Sequence, residues 1–357
     1  MKIVFVTSTL TNSHYKNRIM EFIERGYEVK VYGFVRKGRD NIVLPYDYTL
    51  LGSVENNGYY KRILKYIRAA KTVTKENKGN DVVFYLCGLD LAMAFRFVKP
   101  KIQYLYEECD LVHTYLGWAK KVLEQIDLRI ISKSILTILT SEGFVKYHFN
   151  CNRPDNVIVV ENKLNKDILQ LPLNVKRISD AGKLSIGFVG GPRFKSVYNF
   201  IDVFCRHFPT YTFHIFGGPV SEEFMKLKKY PNCFIHGFFK NPEDLPGIYG
   251  NIDVLLSTYD SGYDNVRYAE PNKLYESIYF ETPVIVSSDT FLAERVRKIG
   301  IGFDINALDE KEIVDLVNSL DYDILEEKRR NCRNFGKLNA ININDHLFQK
   351  VSEVIKC

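Results

Sequence analysis

The 357-residue chain has no apolar run approaching the roughly 20 residues that a helix needs to span a bilayer. Its opening, Met1-Lys2-Ile3-Val4-Phe5-Val6-Thr7, is too short an apolar stretch for a signal peptide and reads as a first buried strand. No Cys-x-x-Cys pair occurs among seven cysteines, an odd number, which excludes a disulfide framework and points to a reducing compartment. Cytoplasm is the expected location. The seven histidines show no metal-ligand spacing, so no metal is expected, and no nucleic-acid motif accompanies the basic residues. The remaining composition, 46% hydrophobic and 26% charged, is that of a soluble globular protein long enough for two α/β domains. A net charge of +6 suits a phosphate-bearing ligand or an anionic membrane surface.

Short apolar runs alternate with helical patterns along the first half. Strands are expected at 3–7, 27–34, 81–87, 102–106, 135–140 and 157–160, with helices at 17–25, 60–77, 89–98 and 116–131. Residues 162–183 break the pattern with polar residues, Pro172 and Gly182, and read as a linker. The second half restarts with strands at 184–189, 211–216, 233–236, 253–257 and 284–286, and helices at 197–207, 222–229, 242–249 and 290–299. Such alternation argues parallel sheets with crossover helices, and ligands then bind beyond the carboxyl ends of the strands.

The most informative stretch is Ala269-Glu270-Pro271-Asn272-Lys273-Leu274-Tyr275-Glu276, followed by Thr282-Pro283-Val284-Ile285-Val286. Pro271 suits the first position of a helix. Lys273 and Glu276, three apart, project from one helix face. A lysine in a first turn opposes the macrodipole, so helix stability does not explain it, whereas a docked phosphate does.

These residues resemble the donor-site helix of GT-B glycosyltransferases, in particular the retaining class that uses nucleotide sugars. The resemblance implies an α/β fold of two Rossmann-like parallel-sheet domains facing across a cleft. The expected boundaries are 1–165 for an acceptor-side domain, 183–335 for a donor-binding domain, and 336–357 for a helix crossing back to the first domain. Glu276 would hold the ribose hydroxyls. The family's earlier glutamate, eight positions upstream, is Tyr268 here, so the pair is incomplete; Glu270 is the candidate substitute at a different offset. Donor contacts are expected from Gly191, Phe238, Glu270, Asn272, Lys273, Leu274 and Glu276.

In the turn Gly190-Gly191-Pro192-Arg193-Phe194-Lys195, the family places an arginine and a lysine that stabilise the departing diphosphate, which nominates Arg193 and Lys195. Phe238, after Ile235-His236-Gly237, would cover the nucleobase, unless both it and Phe239 lie in the core. The polar loop 258–270 can hold sugar hydroxyls. Relatives carry an acidic residue or histidine near the transferred sugar; Glu107 or Glu108 takes that position, Glu108 being the candidate, although a solvated acidic turn would look alike. Adjacent carboxylates on extended chain point oppositely, so at most one faces the ligand. His14 and Asp110 are further candidates for a base.

Lys61, Lys65 and Arg68 line one face of the helix expected at 60–77, which fits either an ordinary surface helix or one lying on an anionic membrane. Asp321-Tyr322-Asp323 imitates a metal-binding Asp-x-Asp but fits a helix cap, with Asp323 and Glu326 in the capping positions. The expected activity is transfer of a sugar from a nucleotide donor, UDP- or GDP-linked and without a further cofactor, to a glycan or lipid-linked acceptor in bacterial surface polysaccharide assembly. A nucleotide-sugar epimerase and a non-catalytic sugar-nucleotide-binding protein are the alternatives.

Overall fold

The computed structural model describes residues 1–36, 43–55, 59–79, 81–150, 152–173 and 183–355. It divides into two compact units, Met1–Glu161 with Asn344–Cys357, and Asn162–Ile343. The break expected at 165 falls at 161–162 because the chain just after it is stitched into the second unit: Leu164 N donates to Ala340 O (2.9 Å) and Asn342 N to Leu164 O (2.8 Å). The same stitching keeps 336–343 in the second unit, and only Asn344 onward returns to the first. Residues 174–182 of the expected linker lie outside the described residues.

The first unit runs β1 (Lys2–Thr7), α1 (Ser13–Glu24), β2 (Glu28–Arg36), β3 (Tyr48–Val54), α2 (Tyr59–Glu76), β4 (Val82–Cys87), α3 (Leu89–Val98), β5 (Tyr104–Glu108), α4 (Lys120–Lys133), β6 (Leu136–Leu139), α5 (Glu142–Phe149) and β7 (Val157–Val159). Its sheet is parallel throughout, in the order β3-β2-β1-β4-β5-β6-β7. Strand β4, Val82-Val83-Phe84-Tyr85-Leu86-Cys87, is apolar on both faces and buried at every residue, as helices on both sides of a parallel sheet require.

The second unit continues with β8 (Ser185–Val189), α6 (Lys195–His207), β9 (Thr212–Phe216), α7 (Glu222–Met225), β10 (Cys233–Gly237), α8 (Leu245–Tyr249), β11 (Val254–Ser257), α9 (Asp264–Tyr268), α10 (Lys273–Tyr279), β12 (Val284–Ser287), α11 (Phe291–Ile299), β13 (Gly302–Ile305), α12 (Glu310–Ser319) and α13 (Tyr322–Phe335). Here the order is β10-β9-β8-β11-β12-β13, again all parallel. Period-two alternation assigns neighbouring residues to opposite cores: Val254 and Leu256 pack with Phe200 and Phe204 of α6, while Leu255 packs with Leu274 and Ile278 of α10. Each sheet winds outward in both directions from its first strand. Each therefore has one place where successive loops diverge, between β1 and β4 and between β8 and β11, the usual ligand crevice of open α/β sheets.

A final helix, α14 (Asp345–Val354), belongs to the first unit. Its Phe348 ring stands 4.9 Å from Phe22 of α1, and the Arg25 guanidinium lies 4.2 Å over it. Phe22 also meets Phe5 and Tyr85 edge-on at 5.3 and 5.5 Å, so one ring ties α1, β1, β4 and α14 together.

Four elements escaped the sequence reading. Strand β3 is half-exposed and β13 is four residues long, so neither shows a buried apolar run. Helix α5 is short, and α9 lies within the loop expected at 258–270. Asp321, not Asp323, caps α13, its carboxylate accepting from Ile324 N at 2.8 Å, and Glu326 pairs instead with Arg333. Phe22→Ala should lower the stability of the first unit by about 3–5 kcal/mol, read as a reduced urea midpoint, through loss of the packing shared by four elements.

Candidate functional site

At the carboxyl ends of β8, β9 and β10 the chain places glycine each time. Gly190 (φ 141°), Gly217 (φ 125°) and Gly237 (φ 82°) occupy backbone that other residues rarely adopt. Gly190 N donates to Phe216 O (2.7 Å) and Gly217 N to Gly237 O (2.6 Å), so the three strand ends lie side by side as bare backbone. A Cβ on Gly217 would stand 2.3 Å from Gly190 O. Gly191 is less constrained, since its Cβ would meet only Gly218 O, at 3.4 Å.

Beside this floor opens a recess of about 380 Å³, lined by Phe216, His236, Phe238, Asp244, Ile248 and Asn251 among others. Phe238 is 77% exposed and lines it, while Phe239 packs against the core; the two phenylalanines thus divide between the alternatives left open by the sequence. His236 stacks on Phe216 at 4.3 Å and 6°. Burial lowers the His236 pKa and favours its neutral form.

Between β8 and β11 the loops are laced together. Tyr259 N donates to Ser287 Oγ (2.8 Å), which donates to Tyr259 O (2.7 Å), and the Tyr259 ring meets Phe194 edge-on at 5.2 Å. Asp260 accepts from Lys195 N (3.1 Å) and Ser196 N (2.9 Å), so a carboxylate already caps the α6 start. Arg193 and Lys195 are exposed and form no ion pair with a described residue; the Arg193 guanidinium lies 5.0 Å from the Phe194 ring centre.

Helix α10 begins at Lys273 with Asn272 as its cap residue, so Pro271 precedes the helix rather than opening it. The proline ring cannot supply an N–H, but its carbonyl accepts from Leu274 N at 3.2 Å, which starts the turn. Every residue of α10 is buried. Lys273 Nζ donates to Glu276 Oε1 (2.7 Å) and Oε2 (2.6 Å), and Tyr249 OH donates to Oε2 (2.5 Å). Lysine and glutamate do share one face, and they neutralise each other there. Leu274 lies wholly in the core, leaving only its backbone for any ligand, and Asn272 is exposed. Glu270 faces elsewhere: it accepts from Tyr275 OH and is ion-paired with Arg295 of α11, whose Nε is 3.1 Å from Oε2. Within the loop after β11, Asp264 and Arg267 pair at 4.0 Å and Asn265 is buried, so part of its polar content serves the loop itself.

The first unit holds a second polar cluster. Glu107 and Glu108 end β5, both fully buried, which excludes a solvated turn. They do point oppositely. Glu107 receives Tyr85 OH (2.8 Å), Arg18 Nη2 (3.2 Å) and Arg18 Nε (3.3 Å), with His14 Nε2 3.0 Å away. Burial alone would raise its pKa, but Arg18 and His14 outweigh burial and hold the carboxyl down at about 2. Glu108 turns to His148, whose Nε2 is 2.8 Å from Oε2, and toward Asp127. Burial pushes Glu108 up to about 7 and Asp127 well above the usual carboxylate range. Glu108, the candidate for contact with the transferred sugar, therefore has no face open to solvent here. Arg18, Asp127, His148 and Tyr249 were not singled out from sequence; each lies on an element distant in sequence from its partner, and no spacing reveals them.

These features define a class: two parallel-sheet α/β units, each with a switch-point crevice, the second with glycine-rich strand ends and a buried Lys–Glu pair. No family model matches the chain. The fold is that of GT-B glycosyltransferases. Sucrose-phosphate synthase from Thermosynechococcus elongatus superposes with a TM-score of 0.72 at 12% identity, covering 99% of this chain and 100% of that one. Anabaena HepE in complex with UDP gives 0.72 at 12% identity and the same coverage. The lipopolysaccharide outer core galactosyltransferase WaaB gives 0.64 at 16% identity, covering 98% and 100%. Among curated proteins, an uncharacterized 41.2 kDa protein in the cps region of Klebsiella pneumoniae is 25% identical over 257 residues, 68% of each chain.

Two outcomes follow. Glu107→Gln should destabilise by about 3–5 kcal/mol in urea, because buried Arg18 loses a fully buried carboxylate and keeps only the half-buried Glu21. In the parent the Glu107 contribution is complete above the ordinary value of 4.5 and is lost as pH falls toward about 2, so the variant's stability should fall less steeply over that window. Gly217→Ala should destabilise the second unit by more than about 1 kcal/mol, since both the positive φ and the Gly190 carbonyl oppose a Cβ.

Proposed function

We propose that the protein is a glycosyltransferase that moves a sugar from a nucleoside-diphosphate donor to an acceptor hydroxyl, with the donor held by residues 162–343. The observation that carries this reading is the recess of about 380 Å³ beside the glycine-ended strands, in the same unit as the segment that resembles the family's donor helix. Support comes from Anabaena HepE, which has the same fold and was solved with UDP, with UDP and glucose, and with UDP-glucose. The fold shared with WaaB, a lipopolysaccharide outer core galactosyltransferase, and the cps region of the Klebsiella relative favour a role in surface polysaccharide assembly.

In this reading Phe238 and His236 flank the base and Glu276 takes the ribose hydroxyls. Since Glu276 is fully buried and doubly bonded to Lys273, a ribose must displace the ammonium, freeing it to meet the diphosphate. Arg193 and Lys195, exposed and without ion-pair partners among the described residues, add positive charge as the diphosphate leaves; preorganised cations of this kind need no metal. Retention follows from the resemblance, with the leaving phosphate assisting deprotonation of the acceptor. No described helix is long and apolar enough to cross a membrane. Lys61, Lys65 and Arg68 are exposed on α2, which supports peripheral contact with anionic lipid for a lipid-linked acceptor.

Thermal-shift screening against UDP-, GDP-, ADP- and CMP-linked sugars should give one selective rise, corresponding to about 2.7 kcal/mol at a hundredfold excess over Kd. No shift with any of the four rejects the donor site. By calorimetry, Glu276→Ala and Lys273→Ala should each weaken that ligand roughly 10–100-fold, the loss of a charged hydrogen bond. Unchanged affinity in both, with folding verified by circular dichroism, rejects the placement. NMR of the product's anomeric centre reads retention directly, and donor conversion without acceptor would instead reveal an epimerase.

A further inference from the structure

Adjacent residues of β5 solve the same electrostatic problem differently. Glu107 has an arginine: Arg18 Nη2 at 3.2 Å supplies a full positive charge to a fully buried carboxylate. Glu108 and Asp127 form a second buried carboxylate pair, and among the described residues neither is ion-paired to lysine or arginine. Their neighbours are imidazoles. His148 Nε2 lies 2.8 Å from Glu108 Oε2, and His113 Nδ1 lies 3.4 Å from Asp127 Oδ2. Glu108 Oε1, in a side chain with no solvent exposure, accepts from no N–H or hydroxyl donor, and the Glu108 and Asp127 carboxyls lie within hydrogen-bond reach of each other. Two carboxylates in a dry pocket, with an oxygen left over, call for a cation or for protons.

We propose that Glu108, Asp127 and His148 form a structural zinc site that pins β5, α4 and α5 together. One donor atom from each of the three lies within 4.8 Å of the others. Zn–O and Zn–N bonds of about 2.0–2.2 Å set tetrahedral ligands about 3.3–3.6 Å apart, so binding requires a contraction of up to about 1.5 Å. Glu108 through both oxygens, Asp127 Oδ2 and His148 Nε2 make four donor atoms, and one divalent ion balances the two carboxylates. Magnesium fits poorly, since it asks for six oxygen ligands and keeps its waters, whereas this pocket is dry and contains nitrogen. Tyr106 OH donates to Asp127 Oδ1 at 2.9 Å and His113 flanks Oδ2, an outer shell that orients the carboxylate. The neighbouring group His14, Glu107 and Cys109 is also close enough for a metal, but Arg18 already supplies its cation.

The test uses the full chain, stripped with chelator, dialysed against Zn2+ and passed over a desalting column before elemental analysis. About one equivalent of zinc per chain should remain, with a raised melting temperature relative to the stripped protein. Asp127→Asn and His148→Gln should each abolish retention, and Tyr106→Phe should weaken zinc affinity roughly 10–100-fold while preserving the fold. His236→Gln serves as control, because His214 Nδ1 and His236 Nε2 lie 3.0 Å apart and form a competing place for zinc. It should leave the stoichiometry unchanged. If Asp127→Asn or His148→Gln fails to fold, the Tyr106→Phe affinity decides. Two results overturn the proposal. Either the wild-type chain retains no zinc, so that protons alone serve the carboxyl pair, or zinc survives the Asp127, His148 and Tyr106 substitutions.

Discussion

A carboxylate at the centre of a fully buried helix must be neutralised where it stands, and in α10 the residue one turn earlier does this. Lys273 reaches both oxygens of Glu276 while Tyr249 of α8 closes the remaining side. Helix periodicity makes the pairing possible, and the apolar packing of Leu274, Tyr275 and Ile278 makes it necessary. The rest of the second unit is arranged around that helix. Its core holds α10 against β11 and β12, and the bare strand ends of β8, β9 and β10 leave room for a ligand. A charged pair kept dry and mutually satisfied is also a pair that a suitable ligand can take apart by exchange.

The first unit shows what happens when sequence neighbours face opposite ways. Glu107 and Glu108 lie on one strand, and strand geometry sends them to different faces. One meets Arg18 and is held firmly ionised. The other meets Asp127 and the His148 imidazole, where burial raises both carboxyl groups. The difference does not come from residue type, which is the same, but from which helix covers each face.

Much of the architecture was legible. Buried parallel strands are continuous apolar runs, so Ile3 to Thr7, Val82 to Cys87 and Val284 to Val286 announced themselves, and the Pro-Asn-Lys-Leu-Tyr-Glu segment pointed to a helix. Edge strands did not. Tyr48 to Val54 and Gly302 to Ile305 are partly exposed, and their residues carry neither alternation nor a long run. Local signals were also misjudged by a residue or two. Pro271 lies before its helix rather than in it, and Asp321 caps where Asp323 was expected, because a cap is decided by backbone angles that residue type only biases.

By itself the sequence determined parallel strands with crossover helices in two halves, the buried central strands, and the proximity of Lys273 to Glu276, because all three follow from periodicity along a single stretch of chain. Only the tertiary structure decided that Tyr249 joins that pair, that Arg295 takes Glu270, that Asp260 caps α6, and that Glu108 meets Asp127 and His148. Each of these joins residues from separate elements. Their meeting depends on how helices pack over a sheet, and packing direction is a property of the assembled layers that no local spacing encodes.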